Sequence, residues 1–347
     1  MAWFARTSLG LVTLASAVLA SIPVSSCAAL HFYTESGSSG VLKSASVSNP
    51  GVFELADPSG FDRVVAISDV HGMYDAAVQL LLAGHIIDAS GNWIGGKTLL
   101  IIVGDDIDKG PQNLEVIDMW MKLTQQAPAA GGEVVHTLGN HETEFLADPT
   151  NKKTKALQAE LQQDGLTTDN LTDPAQPRGA FLRSEPVAAR VGRWLFVHAG
   201  LYPDMTWSSF KAEAISVLDQ GNYGDPFLFA PDSCMEAKDW WKDAATRQDL
   251  ESRLAQNGMW GVVQGHQPDA YYMPGECGSI DDGHLIKIDN GMAPDAGAHP
   301  GHLLVFPHPA QLTAMAFPQT LSIANDGTVQ AIQPVNFDSL PPVPSVP

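Results

Sequence analysis

The stretch Leu99–Gln112, LLIIVGDDIDKGPQ, sets three acids and a lysine directly behind an unbroken apolar run. A short apolar run closed by a glycine reads as a strand buried on both faces, as in a parallel sheet covered by helices. Acids have no place in such a core, so Asp105, Asp106 and Asp108 belong to the loop at the strand's C-terminal end. Open α/β sheets build their sites in those loops. The concentration of carboxylate, and the lysine that ends it, therefore ask for a chemical reason.

The same pattern recurs on both sides. DRVVAIS and EVVHTLG read as strands, and YDAAVQLLLAGHII and NLEVIDMWMKLTQQ as helices between them. This β-α-β-α-β order predicts an α/β sheet with helices outside. It does not separate a doubly wound sheet from other α/β arrangements. Each strand ends in polar residues: SDVHG with Asp69 and His71, GDDIDKG with Asp105 and Asp108, LGNHE with Asn140 and His141. Two later strands end in FVHAG with His198 and VVQGH with His266. Taken singly, each is an ordinary turn, helix cap or hydrogen-bonded core histidine. As an ordered set at strand ends they form an oxygen and nitrogen donor set suited to Mn, Fe or Zn, without the thiolates of a closed structural zinc site.

The composition agrees. With 347 residues, 44% of them apolar and 17% charged, the chain is globular and long enough for one large domain with insertions. It counts 19 Lys and Arg against 39 Asp and Glu, a formal charge of −20. That excludes nucleic acid and anionic membrane surfaces as natural partners. Residues 1–27 read as a secretory signal: one Arg, an apolar run, then small residues, with cleavage near Ala28. In a bacterial source the same stretch reads as a lipoprotein signal that acylates Cys27, and it is too short and weakly flanked for a membrane span. Cys234 and Cys277 then remain. Two such cysteines in an oxidising compartment are expected to pair, the alternative being two free thiols. Asn170 heads the single Asn-x-Ser/Thr sequon, of consequence only in a eukaryotic source.

Residues 28–60 read as a Ser- and Gly-rich lead-in, and the main domain as 61–333. Insertions are expected at about 148–182, lying over the sheet edge, and at 204–258, where MEAKDWWKDAATRQDLESRLAQ is the longest helix expected. A Pro-rich tail occupies 334–347.

The ordered motifs resemble the phosphoprotein phosphatase branch of the calcineurin-like metallophosphoesterases, whose pattern is GDxHG, GDxxDRG, GNHE, HGG and GH. Within it, GAFLRSEPVAARVGRWLFVHAGL and IKIDNGMAPDAGAHPGHLLVF look most like the bacterial-type Shewanella-like phosphatases. The resemblance implies a β-sandwich of two mixed sheets flanked by helices, with two divalent metal ions (Mn, Fe or Zn) at one end. It implies Asp69 and His71 on the first metal, Asp105 bridging, and Asn140, His198 and His266 on the second. Two such cations acidify a shared water, and the hydroxide attacks phosphorus in line. His141 matches the general acid and Asp108 the carboxylate that orients it, whereas Asp106 has no motif role and is expected to be solvated or to neighbour the site.

The pattern is not matched everywhere. Ser68 and Ala199 replace glycines. Lys109 replaces the arginine that grips phosphate, keeping charge but losing the bidentate fork. For a second phosphate-binding cation the resemblance points to Arg183 in FLRSEP, an ordinary surface arginine being the alternative. The implied function is a secreted phosphomonoesterase acting on phosphoprotein (Ser/Thr or Tyr) or small phosphate esters. The alternatives are a dinucleoside polyphosphate hydrolase on the same metals, or a weak pseudophosphatase that binds without turnover.

Overall fold

A computed structural model describes residues 49–312, 319–323 and 329–330. The expected signal segment with Cys27 and the Pro-rich tail lie outside the described residues. Strands β1 (Val52–Leu55), β5 (Ala188–Val191), β6 (Trp194–Val197), β7 (Gly261–Gln264), β8 (Gly278–Ile280) and β9 (Leu285–Lys287) form one six-stranded sheet, ordered β1-β5-β6-β7-β9-β8. Strands β2 (Arg63–Ile67), β3 (Thr98–Val103), β4 (Glu133–Thr137), β10 (His302–Phe306), β11 (Gln319–Ile323) and β12 (Val329–Gln330) form the other, ordered β12-β11-β10-β2-β3-β4. Both sheets are mixed: β2, β3 and β4 run parallel, as do β6, β7 and β9, while the flanking strands include antiparallel pairs.

The period-2 alternation of strand side chains sorts the apolar residues into layers. Val64, Ala66, Leu99, Ile101 and Val103 point inward, where Trp194, Phe196, Val263 and Ile286 of the other sheet complete one core. Their neighbours Val65, Ile67, Leu100 and Ile102 point outward under helices α1 (Tyr74–Ala83) and α2 (Asn113–Gln126). On the far side, Leu195, Val197, Val262 and Leu285 pack beneath α7 (Trp207–Asp219) and α9 (Ala244–Gln256). Burial on both faces explains why LLIIV carries no polar alternation, and the two-sheet sandwich is what the resemblance implied.

Between α2 and α7 the chain adds α3 (Asn140–Ala147), α4 (Lys155–Gln163), α5 (Asp169–Thr172) and α6 (Pro177–Ser184), and the short α8 (Pro226–Phe229) follows α7. Leu157 and Leu161 of α4 share a core with Leu114 and Ile117 of α2. The Glu160 carboxylate accepts from the backbone N–H groups of Asn113 and Leu114, both at 2.8 Å, so the 148–182 segment caps the N-terminus of α2.

Two expectations need correction. The lead-in contains a sheet strand, since β1 pairs in parallel with β5. The helix expected across 235–256 is broken. Asp239 sits at φ +57°, Trp240 and Trp241 turn into the core, and the Asp243 side chain accepts from Thr246 N–H, so α9 starts at Ala244. An aspartate N-cap and two buried indoles outweigh helical spacing here.

Candidate metal centre

The parallel strands end at one edge of the sandwich, and the polar loops meet there. Asp69 and His71 follow β2, Asp105 to Lys109 follow β3, Asn140 and His141 open α3 behind β4, His198 follows β6 and His266 follows β7. Asp69, His71, Asp105, Asp108, Lys109 and His266 all have φ between +47° and +71°. Non-glycine residues adopt this left-handed conformation at a cost, and such turns concentrate at functional sites. Glycine is required where the loops touch. Gly104 has φ +73°, and a Cβ on it would lie 2.5 Å from the Gly139 backbone and 2.9 Å from His198 Nδ1. On Gly265 it would lie 2.1 Å from Asp69 Oδ2.

Asp105 is the hub. His71 Nε2 lies 3.4 Å from its Oδ2, and His198 Nε2 lies 3.3 Å from its Oδ1. Two groups, His71–Asp105–His141 and Asp105–His198–His266, are each compact enough to hold a cation, and both include Asp105. Asp69 Oδ1 stands 3.8 Å from His71 Nε2, and both its oxygens accept the His266 N–H at 3.1 Å. The inward atom of the Asn140 amide lies 3.1 and 3.2 Å from the Asp105 oxygens, 3.1 Å from His198 Nε2 and 3.3 Å from His266 Nδ1. As an oxygen it faces the Asp105 carboxylate, which can only accept, an arrangement that a cation resolves. All six expected ligands thus converge, and the donor set fits divalent metal ions.

Second contacts fix the ligands. His71 Nδ1 lies 2.9 Å from Ile107 O and His198 Nδ1 lies 3.0 Å from Val103 O, so each Nε2 is turned toward the centre. Burial alone would raise the Asp105 carboxyl, but His198 and His141 overcome it and hold it well below the usual range. Burial opposes a charge on His198 too, yet Asp105 raises it to about 10. Burial, then the charge of His198, drives His266 down to about 2. Burial, then the charge of Asp289, pushes Asp69 well above its ordinary value.

His141 Nδ1 lies 3.0 Å from Asp108 Oδ2, and its Nε2 lies 3.9 Å from Asp105 Oδ2. Burial works against its charge, but Asp105 and the Asp108 hydrogen bond raise it overall, with Nε2 toward the centre. Lys109 Nζ lies 2.8 Å from His71 Nε2, inside the site. Arg183 is not: its Nε donates to Thr172 O at 2.7 Å and its guanidinium covers the Tyr223 ring at 5.2 Å. A helix position facing α5 accounts for it without phosphate.

Cys234 and Cys277 are both free. Cys234 packs in the core beneath α7 and α9 and Cys277 against the core between the sheets, on opposite faces of one sheet. Burial pushes both thiols up to about 12. Asp106 is not solvated. It is 3% exposed, accepts from Trp120 Nε1 at 2.9 Å and lies 3.1 Å from His136 Nδ1.

Sequence reasoning passed over Glu142. Its carboxylate accepts from four backbone N–H groups, those of Asp105, Asp106, Ile107 and Gly139, and so ties the Asp105 loop to the start of α3. The last letter of GNHE was visible, but a structural acceptor has no chemical signature of its own. Lys287, fully buried on β9, likewise donates to Pro268 O and Met273 O at 2.5 and 2.6 Å and anchors the segment behind His266.

Comparison with known proteins agrees with this geometry. Residues 62–299 match the calcineurin-like phosphoesterase family. The chain is 26% identical over 248 residues to Shewanella-like protein phosphatase 1 of Plasmodium berghei, a match spanning 67% of each protein. It is 34% identical over 103 residues to Shewanella-like protein phosphatase 2 of Arabidopsis thaliana, a match spanning only 26% of that protein's length. The solved cold-active protein-tyrosine phosphatase of a psychrophilic Shewanella species shares the fold, with a TM-score of 0.63 at 24% identity over 84% of this chain and 85% of that one. With its fold, its convergent donor set and a match over most of its length, the chain belongs to the calcineurin-like phosphoesterases and is a metal-dependent hydrolase of phosphate esters.

Proposed function

We propose that the chain is a phosphomonoesterase with two divalent cations sharing Asp105, acting on phosphorylated protein side chains or small phosphate esters. The observation that carries this is the double use of Asp105, the one acid common to both cation-grade clusters. When bound, the two cations supply an acidified water and electrophilic anchorage for the phosphoryl oxygens.

The chain's own residues do the rest. His71, Asp69 and Asp105 offer donors on one side, and Asn140, His198 and His266 on the other. His141, raised above its ordinary value by Asp105 and the Asp108 hydrogen bond, is placed to pass a proton from Nε2 to the departing ester oxygen, while Asp108 holds the ring's orientation. Lys109 places an ammonium beside His71, where it meets phosphoryl charge. The two relatives named Shewanella-like protein phosphatase support phosphoprotein as the substrate class. Secretion is the reading that residues 1–27 support, with anchorage through Cys27 in a bacterial source. Among the described residues no helix is long and apolar enough to cross a membrane.

The test is hydrolysis of p-nitrophenyl phosphate by Mn-loaded protein beside an Asp105→Asn variant. Turnover is expected in the first and a loss of about a thousandfold in the second. Equal activity in both would refute the shared-carboxylate centre, and none in either would favour binding without turnover. Peptides carrying phosphotyrosine or phosphothreonine then rank the substrates.

A further inference from the structure

Behind the metal centre, where the edge strand β4 meets the start of β1, lies a cavity of about 220 Å³. Its polar lining is acidic and unfinished. The Glu185 side chain is 2% exposed, yet among the described residues neither carboxyl oxygen has a hydrogen-bond partner. Beside it stands the His136 ring, whose Nδ1 is 3.6 Å from Glu185 Oε1 and closer, at 3.1 Å, to Asp106 Oδ2. His136 Nε2 and the Thr124 hydroxyl, both buried, are also without partners among the described residues. Glu133 adds a half-buried carboxyl at the head of β4, and Phe53 and Phe181 supply apolar walls. None of these groups takes part in the metal site or in holding its ligands.

A buried carboxylate without donors is costly, and a cation that brings hydrogen-bond donors removes that cost. His136 cannot serve two acids at once. The cavity has room for several waters at about 30 Å³ each, but burial and then the charges of Glu142 and Asp106 push the Glu185 carboxyl well above its ordinary value, so a cation binding there takes the place of a proton. A metal ion fits poorly, because Asp106, His136 and Glu185 do not form a cation-grade cluster among the described residues. An anion would meet Glu185 and Glu133. Aromatic walls around a carboxylate instead suit a cationic head on an apolar stem, which gains from both ion pairing and the ring faces.

We propose that this cavity binds a small organic cation, an alkylguanidinium or alkylammonium group, with its donors on Glu185 and Thr124 Oγ1 and its stem between Phe53 and Phe181. The same chemistry is carried by a free amine and by an arginine or lysine side chain of another protein.

Isothermal titration of the full chain, at fixed ionic strength because of its charge of −20, separates these sources and tests the site. Agmatine is the free-amine probe, N-acetylarginine amide the side-chain probe, and N-butylurea the neutral control of similar shape. Saturable binding of agmatine is expected. It should weaken about tenfold or more in Glu185→Gln, and similarly in Phe53→Trp, which fills the cavity without touching the carboxylate. N-butylurea should not bind. Binding of agmatine alone assigns the site to free amines, and binding of both cations admits a protein side chain. If Glu185→Gln does not fold, Phe53→Trp decides. Absence of saturable binding to the wild type, or equal binding by both variants, or binding of N-butylurea as tight as agmatine, overturns the proposal.

Discussion

Lys109 stands where an arginine would fork onto phosphate, and its single ammonium lies 2.8 Å from His71 Nε2. Restoring the fork should tighten ground-state binding without disturbing ligands that the lysine does not supply. Lys109→Arg is therefore expected to lower KM for p-nitrophenyl phosphate by about fivefold, with metal content by atomic absorption unchanged. An unmoved KM would mean that this residue does not meet phosphate. His198 carries a second consequence at this scale. Asp105 raises it to about 10, so before a cation binds it is protonated at neutral pH. Its folded value lies above its unfolded one, so the stability it adds is complete below pH about 6.5 and is lost as pH rises toward 10. A cation must displace that proton. Metal titration at pH 7 in two buffers of different ionisation enthalpy should show proton release, with affinity falling as the solution is acidified. Identical heats in the two buffers would contradict the assignment of His198 as a ligand.

At the scale of elements, the ligand-bearing loops were legible because each follows an apolar strand, and DVHG, GDDID, GNHE, FVHAG and VVQGH could be placed by that alone. Less legible were contacts made by residues with no chemical signature. Arg183 sits in a sequence like that of related phosphatases, yet its direction is set by which face of α6 meets α5 and Tyr223, and that is decided by tertiary packing. The pairing of Cys234 with Cys277 failed for a similar reason, since the loops that carry them run to opposite faces of a sheet. The three-residue strand β8 was too short to carry a period. The seat of α2 was invisible for another reason: its acceptor, Glu160, comes from a different helix. Glu160→Ala leaves two N–H groups at the start of α2 without their acceptor and should cost about 1–2 kcal/mol, read as a lower urea midpoint at unchanged slope. Glu160→Gln keeps an acceptor and should cost less. Equal loss in both variants would point to the charge, and no loss in either would show that the cap does not stabilise the helix.

The molecule as a whole gathers its acids where it also gathers its function. Its formal charge is −20, and Asp69, Asp105, Asp106, Asp108, Glu142 and Asp289 are all buried near one end of the sandwich. Bound dications offset part of that load, so stability and metal occupancy are linked. At a metal concentration about a hundred times Kd, the linkage is worth about 2.7 kcal/mol. For a domain of this size, at about 2.1 cal/mol/K of unfolding entropy per residue, that is a shift of about 5 °C in Tm. Chelation at matched ionic strength should lower Tm by that amount, and readdition of metal should restore it. A Tm indifferent to chelator would show that the cluster does not hold cations tightly.

Six residues of the centre are held in left-handed turns, a conformation that most side chains resist. Each contributes roughly 1 kcal/mol of unfavourable backbone energy, which the surrounding sandwich must overcome. Under laboratory evolution for heat tolerance alone, with no demand for turnover, glycine substitutions would accumulate first at these turns. The positions that such a selection erases would themselves trace the outline of the enzyme's working surface.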